Sequence, residues 1–155
     1  MKGAKKMIEV KNIKKSYGKK QVLNGASFTA NKGEITCLVG INGSGKTTIL
    51  NAIMNLTPIK SGEILIDGAK LTKKTYEKIA YIPDTITMLS TMRIEDAFLF
   101  MQDYYTAWNE KRAKELLKFF KLTKDEKIQH LSKGNKAKVN MILGLALDVD
   151  YILMD

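Results

Sequence analysis

The chain has little of what disulfide frameworks and histidine metal sites are built from. Its 155 residues include one cysteine, one histidine and two prolines. A single cysteine cannot form an internal disulfide, and a lone histidine excludes a histidine-rich metal site. Apolar runs are short as well, since residues 35–41 and 141–147 fall well below the roughly 20 residues of a membrane-spanning helix. These absences, together with an apolar content of 45%, predict a single soluble domain with one core.

Negative charge is also scarce. Lysine and arginine total 26 against 16 aspartates and glutamates, which leaves a formal net charge of +10. The lysines are scattered, and the pairs that they form do not extend into a long basic tract. This pattern favours a solvated basic surface and makes nucleic acid an unlikely partner. An acidic partner, either anionic lipid near a membrane or RNA, is the open alternative.

The most informative feature is a glycine-rich segment, residues 40–48, which fits the phosphate-binding pattern G-x-x-x-x-G-K-[ST] at every fixed position. Glycines let the backbone curl tightly, so that successive N–H groups point inward and cradle an anion. The ammonium of Lys46 is predicted to reach the β- and γ-phosphates of a nucleotide, and the Thr47 hydroxyl to ligate Mg²⁺. The predicted nucleotide-binding residues of this loop are Gly40, Asn42, Gly43, Ser44, Gly45, Lys46, Thr47 and Thr48.

The segments on either side of the loop match the context that this motif requires. Residues 35–39 are a short, β-branched apolar run, which predicts a buried strand that leads into the loop and places Cys37 in the core. Residues 47–55 continue with apolar positions at helical spacing. A strand, a glycine loop and a helix in this order favour a nucleotide site over a plain glycine-rich turn.

The remaining patterns predict an α/β fold. Strands are expected over residues 8–13, 21–30, 63–66 and 79–82, where apolar residues alternate or cluster between turn signals. Helices are expected over residues 93–105, after a cap at Asn109, and over residues 132–147. The spacing of the first of these helices places Tyr105 in its apolar row. We expect residues 1–85 and 136–155 to form a β and P-loop core, with a helical subdomain at about residues 86–135.

A second candidate for the nucleotide site lies at the end of the chain. The apolar run of residues 151–154 is followed by Asp155. Downstream of a P-loop, such a run looks like the Walker B element, whose carboxylate holds Mg²⁺ through water. Apolar residues before an acid are common, so this interpretation depends on the glycine loop. Thr47 and Asp155 are therefore the first candidates for holding the metal.

A third motif lies between these two, where Leu131-Ser132-Lys133-Gly134-Asn135 precedes a predicted helix. With the three motifs in this order, the chain resembles the ATP-binding cassette (ABC) family, whose signature usually reads L-S-G-G-Q. The resemblance implies a P-loop NTPase (RecA-like) core with an antiparallel β region at the N-terminus and a helical subdomain. It also implies that Ser132 and Gly134 bind the γ-phosphate held by the P-loop of a second subunit. The alternative is that Ser132 only caps its own helix.

Two further positions resemble elements of the family. Tyr17 stands where the family places an aromatic ring that stacks on adenine, although a plain turn tyrosine is the alternative. Asp84 stands where the family usually has a glutamine that touches Mg²⁺ and the attacking water. An acid at this position is a departure that could tune metal affinity or coupling, or could be an ordinary acid on a turn. Together with Lys133, Asp84 makes the chain similar to cassettes of the bacterial exporter type called ABC-2.

The resemblance implies a function for the complete protein. The implied protein is the ATP-binding and ATP-hydrolysing subunit of an ABC transporter, and its implied ligands are ATP and Mg²⁺. The implied catalytic residues are Lys46, Asp84 and Asp155. The implied partners are a second ATP-binding subunit, in a homodimer or heterodimer, and a separate transmembrane permease subunit. The implied location is cytoplasmic, peripheral on the inner face of the cell membrane. The alternatives are a soluble ABC-type ATPase acting on ribosomes or nucleic acid, and a nucleotide-binding fragment without hydrolysis.

The resemblance extends from the N-terminal strands to Asp155. Family members continue beyond that aspartate with a catalytic glutamate, further strands and a histidine that contacts the γ-phosphate. We therefore expect the C-terminal part of the cassette to be absent from these 155 residues. Because a general base typically contributes about 10²–10⁴-fold to a rate, this chain is expected to bind nucleotide but to hydrolyse it poorly.

Overall fold

Residues 7–85 and 89–155 are described by a computed structural model of the chain. They divide into two units, the first comprising residues 7–76 with Asp155 and the second comprising residues 77–85 and 89–154. The expected domain boundaries include residues 1–6 and 86–88, which lie outside the described residues. The expected division into a core and a helical subdomain stays a prediction.

The first unit contains a three-stranded antiparallel sheet with the order β2-β1-β3. Its strands are β1 (Met7–Tyr17), β2 (Lys20–Asn31) and β3 (Ser61–Ile66). Ile8 and Val10 of β1 are buried, as the alternating pattern predicts for a strand with one face on the core. Ile13 is buried as well, beyond an irregularity in the strand register between Val10 and Ile13. A tight turn joins β1 to β2, where Gly18 adopts a φ of 57°. This sheet confirms the predicted antiparallel β region at the N-terminus.

Two helices accompany this sheet. Helix α1 (Lys46–Ile53) follows the glycine loop and buries Leu50, Ala52 and Ile53. Helix α2 (Lys73–Tyr76) is a single turn, and the hydroxyl of Tyr76 donates a 2.8 Å hydrogen bond to the carbonyl of Met54 just beyond α1. The helix predicted from the spacing of residues 47–55 is therefore present.

The predicted buried strand over residues 35–39 is wrong. Residues 34–41 form neither helix nor strand, and Ile35, Val39 and Ile41 are exposed. Cys37, expected in the core, is exposed as well. A strand is stabilised by hydrogen bonds to a neighbour, and neither sheet of the described residues pairs with this segment. The apolar composition of residues 35–39 indicated a buried strand but did not identify a neighbouring strand for it to pair with.

The second unit combines a parallel strand pair with helices. Strands β4 (Ile79–Ile82) and β5 (Tyr151–Met154) pair in parallel. The helices are α3 (Ile94–Tyr104), α4 (Glu110–Phe119) and α5 (Lys133–Leu145), with a short 3₁₀ turn at Ile128–His130. With the antiparallel sheet of the first unit, these elements confirm the predicted α/β class.

The core of the second unit lies among α3, α4 and α5. Apolar residues of all three helices, including Ala97, Ala113 and Val139, are buried in one cluster. Tyr105 departs from the expected pattern, because α3 ends at Tyr104 and Tyr105 is 45% exposed. Its backbone has left the helix with a ψ of 108°, so the helical row of apolar positions stops at Met101.

Helix α5 is held against β4 by two contacts. A Cβ added to Gly144 would collide with the side chain of Ile82, so the glycine permits a close approach of helix and strand. The buried Asn140 side chain donates a hydrogen bond to the carbonyl of Pro83, directly after β4. These contacts tie the helix that begins at Lys133 to the strand that precedes Asp84.

Candidate functional site

The glycine loop has the backbone conformation that its sequence requires. Gly43 and Gly45 adopt φ angles of 81° and 99°, in the region that side chains with a Cβ rarely adopt. A Cβ on Gly45 would also lie 2.7 Å from Cδ2 of Leu23, so the loop approaches β2 closely. The turn is closed by a 3.1 Å hydrogen bond from the Ser44 N–H to the carbonyl of Ile41.

Helix α1 begins directly after this turn and presents its N-terminus to the loop. Its N-cap is Gly45, and within residues 7–85 and 89–155 no side chain caps it and no acidic residue lies in its first turn. The first N–H groups of a helix have no partner inside the helix and carry a positive partial charge. An anion is the ligand that this arrangement favours.

Lys46 lies at the start of α1 and folds back over the loop. Its ammonium donates hydrogen bonds to the carbonyl oxygens of Gly40, at 2.8 Å, and Ile41, at 3.1 Å. The positive charge is thus held at the rim of the glycine turn. This position suits a contact with the terminal phosphates of a nucleotide seated on the loop.

The Thr47 hydroxyl donates a 2.8 Å hydrogen bond to Oδ1 of Asp155. Both side chains are exposed, and both belong to the first unit. Hydroxyl and carboxylate oxygens are hard donors that fit Mg²⁺, which is usually bound by one or two protein groups together with phosphates and waters. The described part of the chain contains no cluster of three or more His, Cys, Asp or Glu residues able to hold a metal.

Tyr17 ends β1 with its ring 52% exposed. Hydrogen bonding by the Thr57 side chain is the main cause that lowers the pKa of its phenol below the ordinary value, with smaller contributions from Thr48 and Lys15, while partial burial opposes them. Tyr17 and the glycine loop both belong to the first unit.

The other predicted site residues lie as follows. Asn42 is exposed in the glycine loop. Asp84 is exposed directly after β4 in the second unit. Ser132 caps α5, accepting a 3.3 Å hydrogen bond from the N–H of Asn135, so its capping role is present. Gly134 lies in the first turn of α5, and a Cβ there would meet no atom within 4 Å. Phosphate binding by Ser132 and Gly134, and metal binding by Asp84, stay predictions.

The sequence analysis missed Lys15. This lysine is 7% exposed, its ammonium lies 4.7 Å from the centroid of the Tyr17 ring, and it donates a 2.7 Å hydrogen bond to the carbonyl of Pro58. Residues two apart in a strand point to the same face. That period places Lys15 beside Tyr17 and was the available signal.

Comparison with known proteins gives consistent matches. Residues 23–155 match the family model described as ABC transporter. The linearmycin resistance ATP-binding protein LnrL of Bacillus subtilis is 35% identical over 96% of this chain and 50% of its own length. The zinc import ATP-binding protein ZnuC of Rickettsia bellii is 36% identical over 97% of this chain and 62% of its own length. The chain thus spans about half to two thirds of the length of these relatives.

A solved structure agrees with the sequence matches. An ATP-binding subunit of an ABC transporter superposes with a TM-score of 0.85 at 30% identity, over 96% of this chain and 65% of that one. Residues 23–155, which the family model matches, include the glycine loop. The fold of this chain is thus that of a P-loop cassette, and the chain belongs to the ABC transporter family.

Proposed function

We propose that the glycine loop of this chain binds MgATP, and that the chain acts as the ATP-binding subunit of a transporter. The observation that carries the proposal is the 2.8 Å hydrogen bond between the Thr47 hydroxyl and the Asp155 carboxylate. It places two hard oxygen ligands beside a helix N-terminus that favours phosphate. Membership of the ABC transporter family supports ATP as the nucleotide.

Each group of the loop has a separate task in this proposal. The N–H groups of the glycine turn and of the first turn of α1 bind phosphate oxygens. Lys46 neutralises charge on the β- and γ-phosphates, and Thr48 adds a hydrogen bond. Thr47 and Asp155 would hold Mg²⁺, which would supply positive charge to the phosphate oxygens. Tyr17 stacks on the adenine base.

ATP hydrolysis is proposed for the complete protein. Family membership supports an ATPase, and Lys46, Asp84 and Asp155 are the candidate catalytic residues of this chain. Asp84 replaces an amide with a carboxylate, which accepts hydrogen bonds from a metal-bound water but cannot donate one. An acid at this position also adds negative charge, so we expect turnover to depend on Mg²⁺ concentration more steeply than with glutamine.

A second copy of an ATP-binding subunit completes the site in this proposal. Ser132 and Gly134 stand at the N-terminus of α5, where backbone N–H groups and the helix dipole favour an anion. The γ-phosphate bound by one subunit then meets α5 of the other, so that ATP holds the two subunits together. Lys133 adds a cation next to that phosphate.

The proposed partner in the membrane is a separate permease subunit, with this chain peripheral on the inner face of the cell membrane. No helix among the described residues is long and apolar enough to cross a bilayer. Two relatives are named for resistance and for import, which supports transport but leaves its direction to the complete assembly. A similarity to ABC-2 exporters remains part of the proposal.

The second candidate function is that of an ABC-type ATPase acting on ribosomes or RNA, which the net charge of +10 favours. Affinity purification of the tagged protein from detergent-solubilised cells distinguishes the two. We expect an integral membrane protein to be recovered with it in a constant ratio, with ribosomal proteins at the level of an untagged control. Stable recovery with ribosomes and without any membrane protein would exclude the transporter.

A further inference from the structure

The base-binding side of the site contains a charged residue with an unusual environment. Lys15 is 7% exposed, although lysine is almost never buried without partners. Its ammonium has two partners: the carbonyl of Pro58 at 2.7 Å and the ring of Tyr17, whose centroid is 4.7 Å away. The carbonyl accepts a hydrogen bond, and the face of the ring attracts the cation through its quadrupole.

Because of this contact, the two faces of the Tyr17 ring lie in different environments. One face is covered by the ammonium, while the ring as a whole remains 52% exposed. Hydrogen bonding by the Thr57 and Thr48 side chains also lowers the pKa of the phenol. The ammonium therefore occupies one face of the ring, and the opposite face is open to a ligand.

We propose that Lys15 is the positioning residue of the base site: its ammonium backs one face of the Tyr17 ring so that the opposite face stacks on adenine. This inference rests on the proposed function, since it assumes that Tyr17 binds the base of ATP. Withdrawal of electron density towards the ammonium strengthens stacking with the electron-rich purine, and the hydrogen bond to Pro58 keeps the ammonium beneath the ring.

The test compares two ligands that share phosphates but differ in the base. Equilibrium binding of MgATP and of magnesium tripolyphosphate is measured by titration calorimetry for the wild-type protein and for Lys15→Met. We expect MgATP to bind about three- to tenfold more weakly to the variant, while tripolyphosphate affinity is unchanged. Lys19→Met is the matched control, because Lys19 is an exposed lysine of the adjacent turn and its loss should change neither ligand.

Two further variants separate ring backing from a structural role. Lys15→Gln keeps a donor for the Pro58 carbonyl but removes the cation, so we expect the same selective loss of ATP affinity as with Met. Lys15→Arg keeps both a donor and a cation and should restore ATP affinity. If Lys15→Gln binds ATP like the wild type, or if the Met and Gln variants lose both ligands equally, Lys15 only supports the fold and the proposal is wrong.

Tyr17→Ala separates this proposal from the one on which it rests. A selective loss of ATP affinity in Tyr17→Ala, with none in Lys15→Met or Lys15→Gln, overturns the role of Lys15 and leaves base stacking intact. Unchanged ATP affinity in Tyr17→Ala overturns base stacking itself. An ultraviolet titration of tyrosinate provides a second readout, because loss of the Lys15 charge should raise the pKa of the Tyr17 phenol.

Discussion

The hydroxyl of Thr47 and the Oδ1 atom of Asp155 lie 2.8 Å apart, although 108 positions separate the two residues in the chain. Thr47 lies in the first turn of α1, and Asp155 directly follows β5. Their hydrogen bond brings two oxygen donors together next to the glycine loop. We therefore expect metal-dependent binding of nucleotide to depend on both residues.

Thr47→Val removes the hydroxyl with little change in volume, so it tests the metal site without opening a cavity. We expect the gain in ATP affinity that Mg²⁺ provides to fall about tenfold, while metal-free ATP binding changes little. Thr47→Ser keeps the hydroxyl and serves as the control. A Val variant whose ATP binding responds to Mg²⁺ like the wild type would show that Thr47 does not bind the metal.

Substitution by alanine is expected to have opposite effects on stability at Gly45 and at Gly134. Gly45→Ala places a Cβ at a φ of 99° and 2.7 Å from Cδ2 of Leu23, which should destabilise the fold by about 1–3 kcal/mol. Gly134→Ala lies in a helix with free space around it, and should be neutral or stabilising by about 0.5–1 kcal/mol. Urea unfolding of both variants measures the difference, and equal effects would contradict the described loop.

Ser132 has an observed cap and a predicted phosphate contact, and two substitutions separate them. Ser132→Ala should cost about 1 kcal/mol of unfolding free energy by removing the α5 cap. Ser132→Asp caps equally well but repels phosphate, so it should restore stability and still fail to form an ATP-dependent dimer. Urea unfolding and sedimentation with ATP provide the two readouts. Full ATP-dependent dimerisation of the Asp variant would show that Ser132 caps α5 but does not contact phosphate.

Cys37 tests the structure of the segment before the loop. Because its side chain is exposed, a thiol reagent should label the native protein at a rate within a few-fold of that in denaturant. A buried strand would instead protect the thiol, since the reagent would wait for local opening. Strong protection of Cys37 under native conditions would therefore support the strand that the sequence predicts and contradict the described segment.

Local sequence patterns predicted the elements that adjacent residues alone are enough to mark. Strand β4 occupies Ile79–Ile82, as its short apolar run before a proline indicates. The cap predicted at Asn109 and the alternative capping role of Ser132 are both present, since each side chain accepts a hydrogen bond from a backbone N–H group. Residues 35–39 were predicted wrongly because a strand also needs a pairing partner, which composition does not supply. The placement of Tyr105 in the apolar row of the helix was wrong for a similar reason, because periodicity does not show where a helix ends.

The site was predictable where chemistry follows from adjacent residues. The loop of residues 40–48 carries its glycines, Lys46 and Thr47 in one motif, and the structure gives the glycines the backbone angles that the motif requires. The contact of Thr47 with Asp155 and the buried environment of Lys15 both depend on the tertiary fold. The strand period could suggest that Lys15 lies beside Tyr17, but the carbonyl of Pro58 that holds its ammonium comes from 43 positions away.

The central claim is that the loop of residues 40–48 binds the phosphates of ATP, and Lys46→Ala tests it most directly. Calorimetric titration with MgATP should show a single site on the wild-type protein and an affinity about tenfold to a hundredfold weaker in the variant, because a charge-assisted contact is lost. Lys19→Ala, at an exposed lysine outside the loop, should bind like the wild type. Unchanged affinity in a folded Lys46→Ala protein would contradict the assignment of the loop.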